Sequence, residues 1–200
     1  MQTPIRIVSH TRAGVHYLAS LLFANIETGA ASYEELHYSH TRVPVCSYIH
    51  LYRQLLPTVL SMWRVRDHLG VAQSVSFSDY IRTPMDRLLK AESGPAYYNG
   101  EYTERVCAPS IAYKGTVLER WLEYTHKFQA TTDLSVSYEE VVAAPKAAVE
   151  LVACAYGLRC KPGFTAVVGP VGWQPSREEK PSVSSDDLLL IRRFQCQLSM

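Results

Sequence analysis

Arg12 and Gly14 are the first residues along the chain whose types and spacing suggest joint chemistry. They lie in Ser9-His10-Thr11-Arg12-Ala13-Gly14-Val15-His16-Tyr17-Leu18, between a short β-rich run at 5–9 and a segment of helical periodicity at 15–25. A loop that joins a strand to a helix N-terminus points backbone N–H groups at one spot, and the helix dipole adds partial positive charge there. Glycine at position 14 lets the backbone approach an anion closely. Arginine at position 12 adds a full charge and a forked donor. The segment therefore reads as an anion-binding loop. The same spacing also fits an ordinary strand–helix turn with an exposed arginine. The loop lacks GxxxxGK[ST], and so lacks the lysine and the magnesium-binding hydroxyl of a nucleoside-triphosphate loop.

The elements that would position this loop follow from periodicity. Residues 15–25 place Leu18, Leu21, Leu22 and Ile26 on one face. Residues 29–32 break the pattern. The β-branched run 45–51 predicts a second strand. A helix follows from 55 to about 69, with Pro57 in its first turn and Gly70 as its stop. Residues 79–90 predict a helix interrupted at Pro84, and 91–113 a long loop rich in glycine, proline, tyrosine and serine. Leu118, Trp121, Leu122, Thr125 and Phe128 mark a helix over 117–130, and 134–137 is the third strand. A helix over 145–156 is opened by proline and closed by Gly157. Ser184-Ser185-Asp186-Asp187 caps a last helix running to about Leu198. Strands alternating with helices predict an α/β fold, a central parallel β-sheet flanked by helices, with the phosphate-binding loop after strand one. We expect one domain over residues 1–200.

Composition narrows the partners. The chain of 200 residues is 47% hydrophobic and 20% charged, with a formal charge of +1. A general nucleic-acid or membrane-surface binder would carry a large basic excess, so neither partner is expected. The five cysteines are odd in number and form no CxxC pair, which favours reduced thiols and a cytoplasmic location over a disulfide framework or a zinc site. No signal region precedes Ile5-Arg6-Ile7-Val8, and no apolar run reaches the roughly 18–20 residues needed to span a bilayer. A chain without leader or transmembrane segment is the expectation.

Three segments in order resemble motifs of the family of sulfotransferases that use 3′-phosphoadenosine-5′-phosphosulfate (PAPS). The loop Arg12-Ala13-Gly14-Val15-His16-Tyr17-Leu18 is similar to that family's 5′-phosphosulfate loop, Lys/Arg-Ser-Gly-Thr-Thr-Trp-Leu. Arg12, Gly14 and Leu18 match. Ala13 stands for serine, Val15 and His16 for the hydroxyl residues, and Tyr17 for the aromatic. Ile49-His50-Leu51-Tyr52-Arg53, with Ser61 eight positions on, resembles the strand–Arg–Ser pattern that holds the 3′-phosphate. Leu134-Ser135-Val136-Ser137-Tyr138-Glu139-Glu140, followed by Pro145 and a helix closing at Tyr156-Gly157-Leu158, resembles the third. The late Arg-Lys-Gly segment of the family has no counterpart, and Arg177 or Lys180 is the available substitute near Gly172-Trp173.

The resemblance implies roles. Arg12 and residues 13–17 would bind the phosphosulfate, Arg53 and Ser61 the 3′-phosphate, and Tyr138 the adenine, with Tyr17 able to stack on it. It places a histidine base between the first helix and the second strand, where Tyr38-Ser39-His40-Thr41 fits. His40 is thus the catalytic base, with His37 as nearest rival, and Arg12 is the catalytic charge partner. Histidine suits the task because its ordinary pKa is ~6.5. PAPS would be the co-substrate, and no metal is required. The acceptor would be a small molecule or glycan, with Tyr97, Tyr98, Tyr102 and Tyr113 as a candidate wall. Two alternatives stand beside this reading: a nucleotide-binding module that has lost catalysis, kept open by Ala13, Val15 and His16, and a kinase with a phosphate loop, which would need a lysine after Gly14.

Overall fold

The computed structural model describes residues 5–10, 12–27, 33–36, 48–67, 70–88, 114–167 and 180–199. Four strands form one parallel sheet: β1 (Ile5–Ser9), β2 (Tyr33–Leu36), β3 (Ile49–Tyr52) and β4 (Leu134–Ser137), in the order β2-β1-β3-β4. The helices are α1 (Val15–Asn25), α2 (Leu55–Arg64), α3 (Phe77–Arg82), α4 (Met85–Leu88), α5 (Val117–Gln129), α6 (Tyr138–Ala143), α7 (Pro145–Ala155) and α8 (Ser185–Cys196), the last followed by a 3-10 turn. The α/β parallel sheet read from the sequence is the fold observed. Among the described residues, no helix is long and apolar enough to cross a membrane.

The chain divides into two compact units. The first comprises Met1–Leu36, Val43–Gln54 and Phe128–Gln174 and holds the sheet. Its core gathers Ile7 from β1, Val15, Leu18, Leu21 and Leu22 from α1, Ile49 and Leu51 from β3, Val136 from β4, and Val149 and Val152 from α7. Side chains alternate across a strand. Ile49 and Leu51 therefore join this core, while His50 turns the other way and stacks on Tyr52 at 5.8 Å. Phe128 lies 6.0 Å from His50 on that second face. The end of α1 is tied to the segment after α7. Buried Asn25 donates to Leu21 O and Thr165 O and accepts from Thr165 N. Lys161 Nζ donates to the carbonyls of Phe23 and Ala24, which a helix C-terminus leaves unbonded.

The second unit comprises His37–Arg42, Leu55–Lys127 and Pro175–Met200. Its described core is helical and aromatic, with Trp63, Phe77, Tyr80, Trp121 and Ile191 buried together. The α2 helix ends at Arg64, earlier than the expected 69. The buried Arg66 guanidinium there takes the Trp63 carbonyl at 3.1 Å and also reaches Gln73 O. Pro84 divides the expected 79–90 helix into α3 and α4, as a proline without an N–H must.

Candidate functional site

The order β2-β1-β3-β4 creates a switch point. From β1 the chain leads to β2 on one side, and from β3 to β4 on the other. In open parallel sheets the crevice beyond the carboxyl ends of two such diverging strands is where ligands bind. Here those strands are β1 and β3, paired Ile7 with Ile49 through Ser9 with Leu51. The residues that follow them are His10 to Gly14 and Arg53.

The β1–α1 loop is shaped by two left-handed residues, Arg12 at φ 69° and Gly14 at φ 96°. The Ala13 N–H donates to His10 O at 3.1 Å, closing the turn, and Gly14 stands at the N-cap of α1. Glycine offers no side chain to cap the first N–H groups, and the first turn of α1 contains no acidic residue. The first turns of α6 and α8, by contrast, carry Glu139 and Glu140, and Asp186 and Asp187. The positive end of the α1 dipole is therefore not offset by an acid in its own first turn.

Arg53 reaches this loop from β3. Its Nη1 donates to the Arg12 carbonyl at 3.2 Å, and its guanidinium carbon lies 4.7 Å from the centre of the Tyr138 ring. Tyr17 meets the same ring edge-on at 6.2 Å. Gly14 passes so close beneath Tyr138 that a Cβ at position 14 would overlap ring carbons. Arg12, Gly14, Tyr17, Arg53 and Tyr138, spread over more than half of the sequence, thus meet at the switch point. Ala13 and Val15 are buried beneath them, and His16 is exposed on the first turn of α1.

The third strand end is fixed by hydrogen bonds. Ser137 caps α6 in a reciprocal box with Glu140. The bonds from the Ser137 hydroxyl and N–H hold the Glu140 carboxyl below the usual carboxylate range. Burial raises the pKa of Tyr52, and the nearby Glu140 carboxylate adds to the rise. The Gln54 N–H donates to both carboxylate oxygens of Glu139, at 3.2 and 3.4 Å. Behind the site, burial lowers the pKa of His50 from 6.5 to about 4, so the imidazole is neutral at pH 7.

Ser61 lies in α2, within the second unit. His40, its rival His37, and Arg177 lie outside the described residues, as does the tyrosine-rich loop 91–113. Lys180 is exposed in the second unit. In the sequence Glu139 stands out only as part of the third motif. Its contact with Gln54 N had no signal there, because the two are 85 positions apart.

The fold and these contacts define an open parallel α/β protein with the Arg53 guanidinium and a helix N-terminus without a side-chain cap at its switch point. No family model matches the chain, and no curated protein matches it. A solved structure with a similar fold is that of a sulfotransferase, mouse SULT7A1 complexed with PAP, at 13% identity and a TM-score of 0.49. The match covers 98% of this chain and 64% of that one, so the chain spans less than two thirds of that protein's length.

Proposed function

We propose that this protein transfers a sulfuryl group from PAPS to an acceptor hydroxyl or amine. One observation carries the reading: the Arg53 guanidinium, from the end of β3, reaches the Arg12 backbone carbonyl in the loop that opens α1, whose N-terminus has no side-chain cap. Such a site suits a ligand with anionic groups. In this reading the loop 12–17 takes the 5′-phosphosulfate, Arg53 and Ser61 the 3′-phosphate, and Tyr138 and Tyr17 the adenine. The acceptor oxygen attacks sulfur in line and gives its proton to His40. The bond from sulfur to the bridging oxygen breaks, and the nucleotide leaves as adenosine 3′,5′-bisphosphate. Arg12 and the loop amides meet the charge that builds on the leaving phosphate.

Calorimetry with adenosine 3′,5′-bisphosphate, the 5′-monophosphate, and ATP with magnesium tests the binding half. The bisphosphate should bind best, and Arg53→Ala should cost it about 2–5 kcal/mol while affecting the monophosphate much less. Equal losses would remove Arg53 from the 3′-phosphate site, and a preference for ATP with magnesium would favour a kinase. Turnover tests the rest. His40→Ala should lower the rate ~10²–10⁴-fold with donor affinity nearly intact. Arg12→Ala should lower both, because it meets charge in the ground state and more strongly in the transition state. A dead His37→Ala beside an active His40→Ala would move the base to His37. Normal binding and turnover by Arg12→Ala would end the sulfotransferase reading.

A further inference from the structure

The β3–β4 ladder ends at Tyr52 with Ser137, yet the pairing continues in the same order through side chains. Tyr52 and Ser137 are the last ladder partners. The Arg53 guanidinium lies over Tyr138. The Gln54 N–H is held by the Glu139 carboxylate. Three consecutive residues meet three consecutive residues, although the chain already turns into α6 at Tyr138 and into α2 at Leu55. Glu139 thereby supplies an acceptor past the end of the strand, where a ladder carbonyl would otherwise stand.

We propose that Glu139 is a positioning residue for the anion site: by holding the Gln54 N–H it fixes the backbone that aims Arg53 across Tyr138 to the Arg12 carbonyl. The inference rests on the nucleotide reading above. Its test turns on a sign. A carboxylate close to an anion site repels an anionic ligand, so by charge alone its removal should tighten binding. If Glu139 acts by positioning, removing its acceptor should weaken binding although a negative charge has gone.

Two variants separate these effects. Glu139→Ala loses both acceptor and charge, whereas Glu139→Gln keeps a carbonyl oxygen in place and loses only the charge. Adenosine 3′,5′-bisphosphate and the 5′-monophosphate are titrated against each variant, and exchange of the Gln54 amide is followed by NMR. Glu139→Ala should bind the bisphosphate about tenfold more weakly, with a clearly smaller loss for the monophosphate, and should expose the Gln54 amide to exchange. Glu139→Gln should restore both protection and affinity. Unchanged or tighter bisphosphate binding by Glu139→Ala overturns the proposal, as does a loss by Glu139→Gln as large as that of Glu139→Ala. If Glu139→Ala does not fold, Glu139→Gln with weakened binding and an unprotected Gln54 amide overturns it equally. A wild-type protein that binds neither nucleotide sinks the sulfotransferase reading itself, a failure visible before any variant is made.

Discussion

Arg53 in the first unit and Arg82 in the second both stand at the end of an element, but different partners hold them. Arg82, in the last turn of α3, bonds the carboxylate of Asp187 at the start of α8. Asp187 is fully buried and also accepts from the Ser78 hydroxyl and from Ser184 N, so the pair ties α8 to α3. Arg53 rests on the Arg12 carbonyl and on the face of Tyr138. A carbonyl and a π face orient a guanidinium across the end of a strand, whereas a buried carboxylate pairs with it and ties two helices together. Charge in the second unit locks helices together. In the first, the Arg53 guanidinium spans the strand ends, from the Tyr138 ring to the Arg12 carbonyl.

The contrast should break most sharply at Gly14. A side chain there meets a left-handed φ and the Tyr138 ring together. Gly14→Ala should cost about 2–4 kcal/mol of stability and abolish nucleotide binding. Urea melts of the single and double variants check the cause. Tyr138→Ala should recover the steric part in the double variant, leaving about 1 kcal/mol for the backbone conformation. Additive losses would mean that the ring contact is not what makes glycine necessary.

Acid should distinguish the units next. His50 in the first unit is kept neutral by burial, with a pKa of about 4 against 6.5. Below pH 6.5 the unfolded chain takes up the proton first, so this contribution is complete above 6.5 and is lost as pH falls towards 4. The loss amounts to about 3 kcal/mol. His50→Phe should flatten stability over that window, as read by thermal melts between pH 7 and 4. A slope the same as wild type would assign the acid sensitivity to other groups.

Asp187 titrates lower. Burial alone would raise its pKa, but hydrogen bonds from Arg82, Ser184 and Ser78 outweigh it and hold the value at about 2 against 3.8. Its contribution is therefore complete above about pH 4 and is lost as pH falls through 2. Asp187→Asn should cost about 1–3 kcal/mol at neutral pH, less than the ~3–5 kcal/mol of a fully buried pair because Arg82 is part-exposed. The same variant should remove the pH dependence between 4 and 2 while leaving nucleotide affinity unchanged. Lost affinity would show that the pair also serves the site.

What was legible in the sequence follows the same division. Strands β1, β3 and β4 carry compact apolar or β-branched signals, and each was read within a few residues. Strand β2, Tyr-Glu-Glu-Leu at 33–36, was missed, because two glutamates and no β-branched residue give no strand signal. The sheet holds it through backbone pairing with β1. Helix α6 was also missed, although Ser137 and Glu140 at capping-box spacing announce it. The run of apparent strand residues up to Ser137 concealed the start of a helix. Arg12, Gly14, Arg53 and Tyr138 were each legible as residues. Their meeting was not, because it depends on which strands lie side by side, and local periodicity does not encode that order.

The smallest expected effect makes the finest comparison, because both units contain the same device. Ser137 with Glu140 caps α6, and Ser184 with Asp187 caps α8, each serine accepting from the N–H three residues on while the acid returns to the serine N–H. Replacing either serine by alanine should cost about 1 kcal/mol, the usual worth of such a cap. Equal local chemistry thus predicts nearly equal melts. The consequences elsewhere should differ. Ser184→Ala frees the start of α8, which lies in the second unit, so bisphosphate affinity should stay within experimental scatter. Ser137→Ala also alters the ladder partner of Tyr52, the last paired residue before Arg53. Affinity for adenosine 3′,5′-bisphosphate should then fall about threefold to tenfold at a stability no lower than that of Ser184→Ala. Comparing the two at matched stability removes the trivial explanation that a loosened protein binds poorly. If both variants lose affinity alike, the site depends on global stability, and the division of labour between the two arginines' surroundings fails. If neither does, the Tyr52–Ser137 pairing does not help to aim Arg53, and the alignment of β3 with the start of α6 must be held by Tyr138 and Glu139 alone.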